Sequence, residues 1–95
     1  MAFTGYGKLK SNVECKSDDE YLNKFSNVEQ CAEACNNKPG CEFFIYLANS
    51  WSWWLKGRCY WEKTSSADCP EGWDSDNYDF YQIIFGNTKY SLLKR

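Results

Sequence analysis

The most informative absence in this 95-residue chain is histidine, of which there is none. Histidine is the commonest general base, the commonest metal ligand and the only side chain that ordinarily titrates near neutral pH. A serine nucleophile would therefore have no imidazole to activate it. A C-x-x-C motif is also missing, which argues against thiol redox catalysis. We predict that the chain is not an enzyme and that it uses no cofactor and no metal ion.

Other absences restrict the possible partners and the location. The longest apolar stretches, at 43–47 and 78–85, have the length of strands and fall short of the roughly 20 residues of a membrane span. The formal net charge is −2 and no basic stripe occurs, which disfavours a nucleic-acid partner. The first eight residues lack the apolar region of a secretory signal, and no Asn-x-Ser/Thr glycosylation sequon is present.

What the chain does have is an even set of six cysteines in a short length: Cys15, Cys31, Cys35, Cys41, Cys59 and Cys69. Such a set indicates a disulfide framework, which persists in an oxidising compartment. We therefore predict a secreted, extracellular or organelle-lumenal protein whose leader has been removed or which is part of a longer polypeptide. Reduced thiols are the alternative, and zinc is disfavoured because Cys59 and Cys69 are too widely spaced for a typical ligand pair. Six cysteines can pair in fifteen ways, and their spacing does not select one.

A helix is predicted from about Asn27 to Asn36. Ser26 is expected to be its N-cap, and Glu29, three residues later, would complete a capping box. Apolar residues recur at the helical spacing i, i+3, i+4 and i+7 and form one inward stripe, made of Val28, Cys31, Ala32 and Cys35. The Asn-Asn-Lys-Pro-Gly segment at 36–40 ends the helix.

Three segments rich in aromatic residues are predicted to be strands, at 41–46, 58–62 and 78–84. Residues 16–20 are expected to form a polar turn and residues 63–76 a connector. The predicted fold class is α+β, with a single helix packed on a small, twisted antiparallel sheet that disulfides staple. The predicted organisation is an extension or edge strand at 1–12, one domain at 13–85 and a C-terminal tail at 86–95.

Two segments resemble the signature of PAN/apple domains: Ser-Asn-Val-Glu-Gln-Cys-Ala-Glu-Ala-Cys at 26–35 and Pro-Gly-Cys-Glu-Phe-Phe-Ile-Tyr at 39–46. Gly-Arg-Cys-Tyr-Trp-Glu at 57–62 and Asp-Phe-Tyr-Gln-Ile at 79–83 are similar to the family's remaining strands. Cys-Pro-Glu-Gly-Trp at 69–73 resembles variants in proteins of algae and other microbial eukaryotes. The resemblance implies a helix cradled by a twisted antiparallel sheet.

The same resemblance implies three nested bridges, which join the first cysteine to the last, the second to the fifth and the third to the fourth. Carried onto this chain, they are Cys15–Cys69, Cys31–Cys59 and Cys35–Cys41. The chain departs from the family in one respect, because Cys69 precedes the last predicted strand.

The best candidate for a binding site is the tryptophan-rich segment between the first two predicted strands. Its candidate ligand-binding residues are Trp51, Trp53, Trp54 and Lys56. Tryptophan is enriched at interface hot spots because one rigid ring buries a large area, and it also stacks on sugar faces. The alternative interpretation is that these rings cover the core of a small sheet.

Acidic residues provide no convincing catalytic or metal site. The segment Asp74–Asp79 departs from an EF-hand loop, since Tyr78 occupies the fifth position and Asp79 the sixth, so we predict a solvated turn. Glu62, Asp68 and Glu71 could supply a glycosidase-like pair, but no pattern places two of them across a cleft.

These observations predict a non-catalytic, disulfide-rich binding module that mediates protein–protein or protein–carbohydrate interaction. The alternative is a small structural accessory subunit docked on the lumenal or extracellular face of a larger assembly, with the two chain ends as docking arms. Neither nucleic acid nor a transmembrane span is expected.

Overall fold

The computed structural model describes residues 5–84, so the predicted tail at 86–95 lies outside the described residues. Within this range the chain forms one helix and seven strands: β1 (Tyr6–Lys10), β2 (Val13–Cys15), β3 (Asp19–Lys24), α1 (Val28–Asn36), β4 (Phe43–Tyr46), β5 (Arg58–Glu62), β6 (Trp73–Ser75) and β7 (Asp79–Ile83). No helix among the described residues is long and apolar enough to cross a membrane.

The strands form two antiparallel sheets. The main sheet has the order β1-β7-β4-β5-β3, and β2 pairs with β6 in a second, smaller sheet. In the centre of the main sheet, Phe44 lies opposite Tyr81 on one side and Trp61 on the other. The predicted α+β fold, a helix packed on a small antiparallel sheet, is confirmed. β6, however, lies in the segment 63–76 for which a connector was expected, and β3 begins within the segment 16–20 for which a turn was expected.

The alternation of side chains along β4 divides the core between the two faces of the main sheet. Phe44 belongs to the cluster beneath α1 and stacks on Tyr81, with ring centroids 5.0 Å apart. Phe43 belongs to the cluster beneath the small sheet and stacks on Phe80, with centroids 5.6 Å apart. The fold therefore has three layers: the helix, the main sheet and the small sheet.

Helix α1 begins one residue later than its sequence suggests. The N-cap is Asn27, whose side chain accepts a hydrogen bond from the Gln30 N–H (3.0 Å). The backbone N–H and the hydroxyl of Ser26 both donate to the side-chain oxygen of Gln30. The predicted capping box of Ser26 and Glu29 is therefore wrong. Asn27 in place of Ser26 accepts from the first turn, at the Gln30 N–H, and the Gln30 side chain in place of Glu29 accepts from the Ser26 N–H. Glu29 still lies in the first turn, where the helix dipole favours its charge.

Three disulfides cross-link the fold. Cys31 and Cys35, both on the inner face of α1, pair with Cys59 in β5 and with Cys41 in the following turn. The third bridge joins Cys15 in β2 to Cys69, which precedes β6. These are the pairs that the family resemblance implies, and none of the six cysteines is left as a thiol.

Candidate binding site

The tryptophans lie in the loop between β4 and β5, whose base is tied by main-chain hydrogen bonds. The Gly57 N–H donates to the Leu47 carbonyl oxygen (2.7 Å), and the Leu47 N–H donates to the Arg58 carbonyl oxygen (3.0 Å). Farther along, the Leu55 N–H donates to the carbonyl oxygen of Ser52, a residue that is only 3% exposed. Backbone bonds and the buried Ser52 thus set the shape of the loop without requiring the indole rings.

A second tie holds the base of the loop to the segment between β3 and α1. The Phe25 N–H donates to the Gly57 carbonyl oxygen (2.8 Å). Gly57 is buried and has a φ of +96°, a conformation that suits glycine. A Cβ at this position would collide with the Phe25 carbonyl oxygen. Glycine is therefore required here both for its backbone conformation and for the close approach of the two chain segments.

The three tryptophan side chains project into solvent as a group, which we name the tryptophan ridge (Trp51, Trp53 and Trp54). Their exposed fractions are 91%, 74% and 51%. The ring of Trp54 contacts both others edge to face, with centroids 6.3 Å from Trp51 and 5.9 Å from Trp53. The alternative that these rings cover the core does not describe the structure, since the intervening Ser52 is the buried residue of the segment.

A lysine from β3 supports the ridge. The Lys24 ammonium lies 5.7 Å from the centroid of the Trp53 ring, within the range of a cation–π contact. It also donates a hydrogen bond to the Trp54 carbonyl oxygen (3.2 Å). Lys24 reaches this position because it lies opposite Arg58 in the β3–β5 register. The sequence carries no local signal of this contact, because Lys24 and Trp54 are 30 residues apart.

Beside the ridge is an open groove of about 470 Å³, which we name the ridge groove and which is lined by Lys24, Phe25, Ser26, Tyr46, Trp53 and Lys56. Tyr46 is fixed in it because its hydroxyl donates to the Phe25 carbonyl oxygen (2.8 Å), and burial raises the pKa of this phenol. The groove thus combines one aromatic wall with two lysines. It suits a ligand that presents both an apolar face and an acceptor or anionic group.

The structure brings together all four residues that were predicted to bind a ligand. Trp51, Trp53 and Trp54 form the ridge, and Lys56 lines the ridge groove beside Trp53. Their role in binding stays a prediction. Lys24 joins them as the residue that the sequence analysis missed. A larger hollow, of about 660 Å³, lies over the turn at 36–42 and contains none of the predicted residues.

The acidic residues considered for catalysis differ in burial and in their hydrogen-bond partners. Glu62 is fully buried between the two sheets. Glu71 accepts a hydrogen bond from the Thr64 hydroxyl (2.7 Å), and Asp68 is exposed. In the segment 74–79, Asp76 accepts a hydrogen bond from the Tyr78 N–H, and Asp79 accepts one from the Asn12 N–H.

Two groups of side chains have the composition of a metal site. One contains Cys15 and Cys69, whose sulfurs are joined in a disulfide and so supply no thiolate. The other consists of Glu14, Asp19 and Glu62, whose carboxyl oxygens lie within 4.8 Å of one another. Within this second group, Glu62 accepts hydrogen bonds from the Ser17 hydroxyl and the Cys15 backbone N–H.

The family model of the PAN domain matches residues 6–85 of the chain, a span that includes every described strand, the helix and all six cysteines. Comparisons with curated proteins and with solved structures give no match.

Proposed function

The chain belongs to the PAN domain family, and from this membership and its surface we propose that it docks onto a partner protein through the tryptophan ridge. PAN domains are in general non-enzymatic adhesion modules, which agrees with the lack of histidine. The observation that carries the proposal is the exposure of three adjacent indole rings, one of them at 91%. Exposing such rings to water does not stabilise the folded chain, whereas a protein–protein interface buries them as anchors.

The orientation of the rings favours a protein over a polysaccharide as the main partner. The Trp51 and Trp53 planes stand at 75° and 85° to that of Trp54, so the ridge presents separate projections and no flat platform. Projections of this kind fill pockets on a partner. A carbohydrate is the second candidate, since the ring of Trp51 is free to stack on a sugar and the lysines beside it suit acidic groups.

Three disulfides are characteristic of an oxidising environment. We therefore propose that the encounter takes place outside the cell or in an organelle lumen. In the accessory-subunit alternative the ridge would be a permanent contact and the two chain ends would be docking arms. Of these ends, the N-terminal one forms β1 of the main sheet at Tyr6–Lys10, and the C-terminal one at 86–95 lies outside the described residues.

The experiment compares binding and stability in the same variants. A partner is purified on the immobilised domain from extracellular or lumenal extract, and its affinity is measured by calorimetry for wild type, Trp51→Ala and Trp54→Ala. We expect affinity to fall about 30-fold or more, the loss that defines a hot spot. The melting temperature should change by no more than about 2 °C, because the rings are exposed. Tyr21→Ala is the matched control: its ring is 52% exposed but contacts Tyr60, on the face of the small sheet.

Unchanged affinity in both tryptophan variants would remove the ridge from the interface. A large fall in melting temperature would instead assign the rings a structural role. If the wild-type domain binds an immobilised glycan and Trp51→Ala abolishes that binding, the ligand is a carbohydrate.

A further inference from the structure

A cluster of carboxyl groups lies between the two sheets, on the opposite side of the main sheet from α1. We name it the carboxyl junction and define it by four residues, Glu14, Asp19, Glu62 and Asp76. Glu14 comes from β2, Asp19 from β3 and Glu62 from β5, and Asp76 directly follows β6. The oxygens of Glu14, Asp19 and Glu62 lie within 4.8 Å of one another, so β2 meets two strands of the main sheet through carboxyl groups.

Glu62 is the centre of the junction and is completely buried. One of its oxygens accepts a hydrogen bond from the Ser17 hydroxyl (2.8 Å), and the other accepts one from the Cys15 backbone N–H (3.2 Å). Both donors belong to β2 or to the residues just after it. A single side chain of β5 therefore holds the main chain of the small sheet.

The groups that face the junction are mainly acidic or neutral. Asp18 adjoins Asp19, and the Tyr78 hydroxyl lies close enough to Glu14 and Asp76 to interact electrostatically with them. Tyr60 and the cation Arg58 interact electrostatically with Tyr78 in turn. None of the four salt bridges formed within residues 5–84 includes a member of the junction; nearby Lys16 and Lys63 pair with Asp74 and Glu20 instead.

Four acidic groups in so small a space favour retention of protons. The pKa of Glu14 is raised to about 8, mainly by its hydrogen bond with Asp76 and then by burial. The pKa of Glu62 is raised to about 7, mainly by burial, although the bonds from Ser17 and Cys15 oppose the shift. Burial also raises the pKa of Asp19. In unfolded chain the glutamates would titrate near 4.5.

The sign of the effect follows from proton binding in the two states. Between pH 4.5 and about 8 the folded junction holds protons that the unfolded chain has already released. Stability therefore falls as the pH rises through this interval. The contribution is fully present below pH 4.5 and is lost once both glutamates ionise in the folded state.

We propose that the carboxyl junction is a pH-sensitive latch, which holds the small sheet against the main sheet while protons are shared within it and loosens that sheet when the carboxyls ionise. The carboxyl junction shares no residue with the tryptophan ridge or the ridge groove, so the two can be tested separately. The disulfide from Cys15 to Cys69 still joins β2 to the segment before β6 when the latch opens, so the expected change is local.

Amide hydrogen exchange measures this opening directly. Protection factors, which correct for the intrinsic effect of pH on exchange, are compared at pH 5.5 and 8.5 in the presence of EDTA. The reporters are the amides of Lys16 and Asp76, which bond across the small sheet to Gly72 and Asn12. We expect their protection to fall at least about tenfold more than that of Phe44 and Ile45 in β4, since one unit of pKa shift corresponds to a tenfold change in equilibrium constant.

Substitution identifies the responsible groups. Glu14→Gln and Glu62→Gln should each reduce the loss of protection, and the double variant should abolish it. If Glu62→Gln fails to fold, the result for Glu14→Gln tests the proposal, because Glu14 is only partly buried and its replacement should leave the fold intact. Glu42→Gln, at an exposed carboxylate in the turn before β4, is the matched control and should behave as wild type. Equal protection at both pH values in the wild-type protein, or an undiminished loss in Glu14→Gln, would refute the latch.

Discussion

Replacing Gly57 with alanine tests the account of how the tryptophan loop is held. Gly57 has a φ of +96°, and an added Cβ would collide with the Phe25 carbonyl oxygen. The same glycine joins both ties of the loop, donating to the Leu47 carbonyl oxygen and accepting from the Phe25 N–H. The substitution therefore strains one residue and pushes apart the two chain segments that meet there.

The size of the effect can be bounded with two other glycines of the same conformation. Gly40 and Gly72 have φ values of +90° and +101°, but a Cβ at either site would meet only side-chain atoms at 3.7 Å. Alanine at either site must adopt the left-handed conformation, which costs about 1–2 kcal/mol of stability. Alanine also restricts the unfolded chain, which returns roughly 0.4–1 kcal/mol. At Gly57 the collision adds about 1–3 kcal/mol of overpacking. We expect a loss of about 1 kcal/mol for Gly40→Ala and Gly72→Ala, and about 2–4 kcal/mol for Gly57→Ala.

Equilibrium unfolding in guanidinium chloride measures all three variants, and unchanged m-values would show that the denatured states are comparable. The difference between Gly57→Ala and Gly72→Ala isolates the collision from the backbone conformation. If Gly57→Ala loses no more stability than Gly72→Ala, the close approach of Phe25 to the loop base is not a constraint and the reasoning is wrong.

Three further predictions concern the disulfides, the N-cap of α1 and the stability of the protein at low pH. Replacing both cysteines of a bridge with alanine should reduce the free energy of unfolding by about 4, 3.5 and 2 kcal/mol for the bridges that span 54, 28 and 6 residues. The reason is that a longer loop, once released, has more conformational entropy in the unfolded chain. Unfolding in guanidinium chloride measures the three losses, and a larger loss for a shorter loop would contradict the reasoning. Asn27→Ala should lose about 1 kcal/mol of stability and Ser26→Ala clearly less, since Asn27 is the true cap; equal losses would contradict that assignment. Hydrogen bonds from Lys38 and then Lys63 lower the pKa of Glu20, so its stabilising effect is present above pH 4.5 and is lost as the pH falls through its folded pKa. Calorimetry between pH 2 and pH 5 should therefore show a smaller acid-induced fall in melting temperature for Glu20→Gln than for wild type, and an identical fall would contradict the ion pairs.

The elements that could be predicted from the sequence are those whose pattern is local. β5 has the predicted bounds, Arg58–Glu62, because its aromatic and β-forming residues stand between clear breakers. The inner stripe of α1 was recognisable from its spacing, and its cysteines and Ala32 are indeed buried. The N-cap was misplaced because Ser26 and Asn27 are both good caps, and only the position of Gln30 in three dimensions distinguishes them.

β3 was missed because it is an edge strand with a polar sequence. Its first two residues, Asp19 and Glu20, fall in the segment 16–20 that was predicted to be a polar turn, and its register with β5 shifts between Tyr21 and Asn23. Pairing with β5 outweighs the weak intrinsic preference. The position of Lys24 at the ridge depends on that pairing and so could not be derived from neighbouring residues.

The carboxyl junction was equally hidden, since its members come from four separate segments of the chain. One signal was available in the alternation of β5, which places Glu62 on the same face as Tyr60. A glutamate on the inner face of a predicted strand indicates a buried partner. The partners themselves, Ser17 and the Cys15 N–H, depend on how the small sheet folds over the main one.

The exposed area of the ridge indicates how much of a partner's affinity it can supply. A tryptophan side chain buries roughly 200 Å² when fully covered, and the three rings together expose about twice that. Covering them would contribute about 10 kcal/mol at 25 cal/mol per Å², which is similar to the estimated 4–15 kcal/mol cost of association. The partner's apolar surface, buried in the same contact, would add a comparable contribution, so a complete interface centred on the ridge could exceed that cost. In the proposed interface, Lys24 and Lys56 of the ridge groove would then contribute mainly to specificity and to the rate of association, through charged contacts beside the wall formed by Trp53.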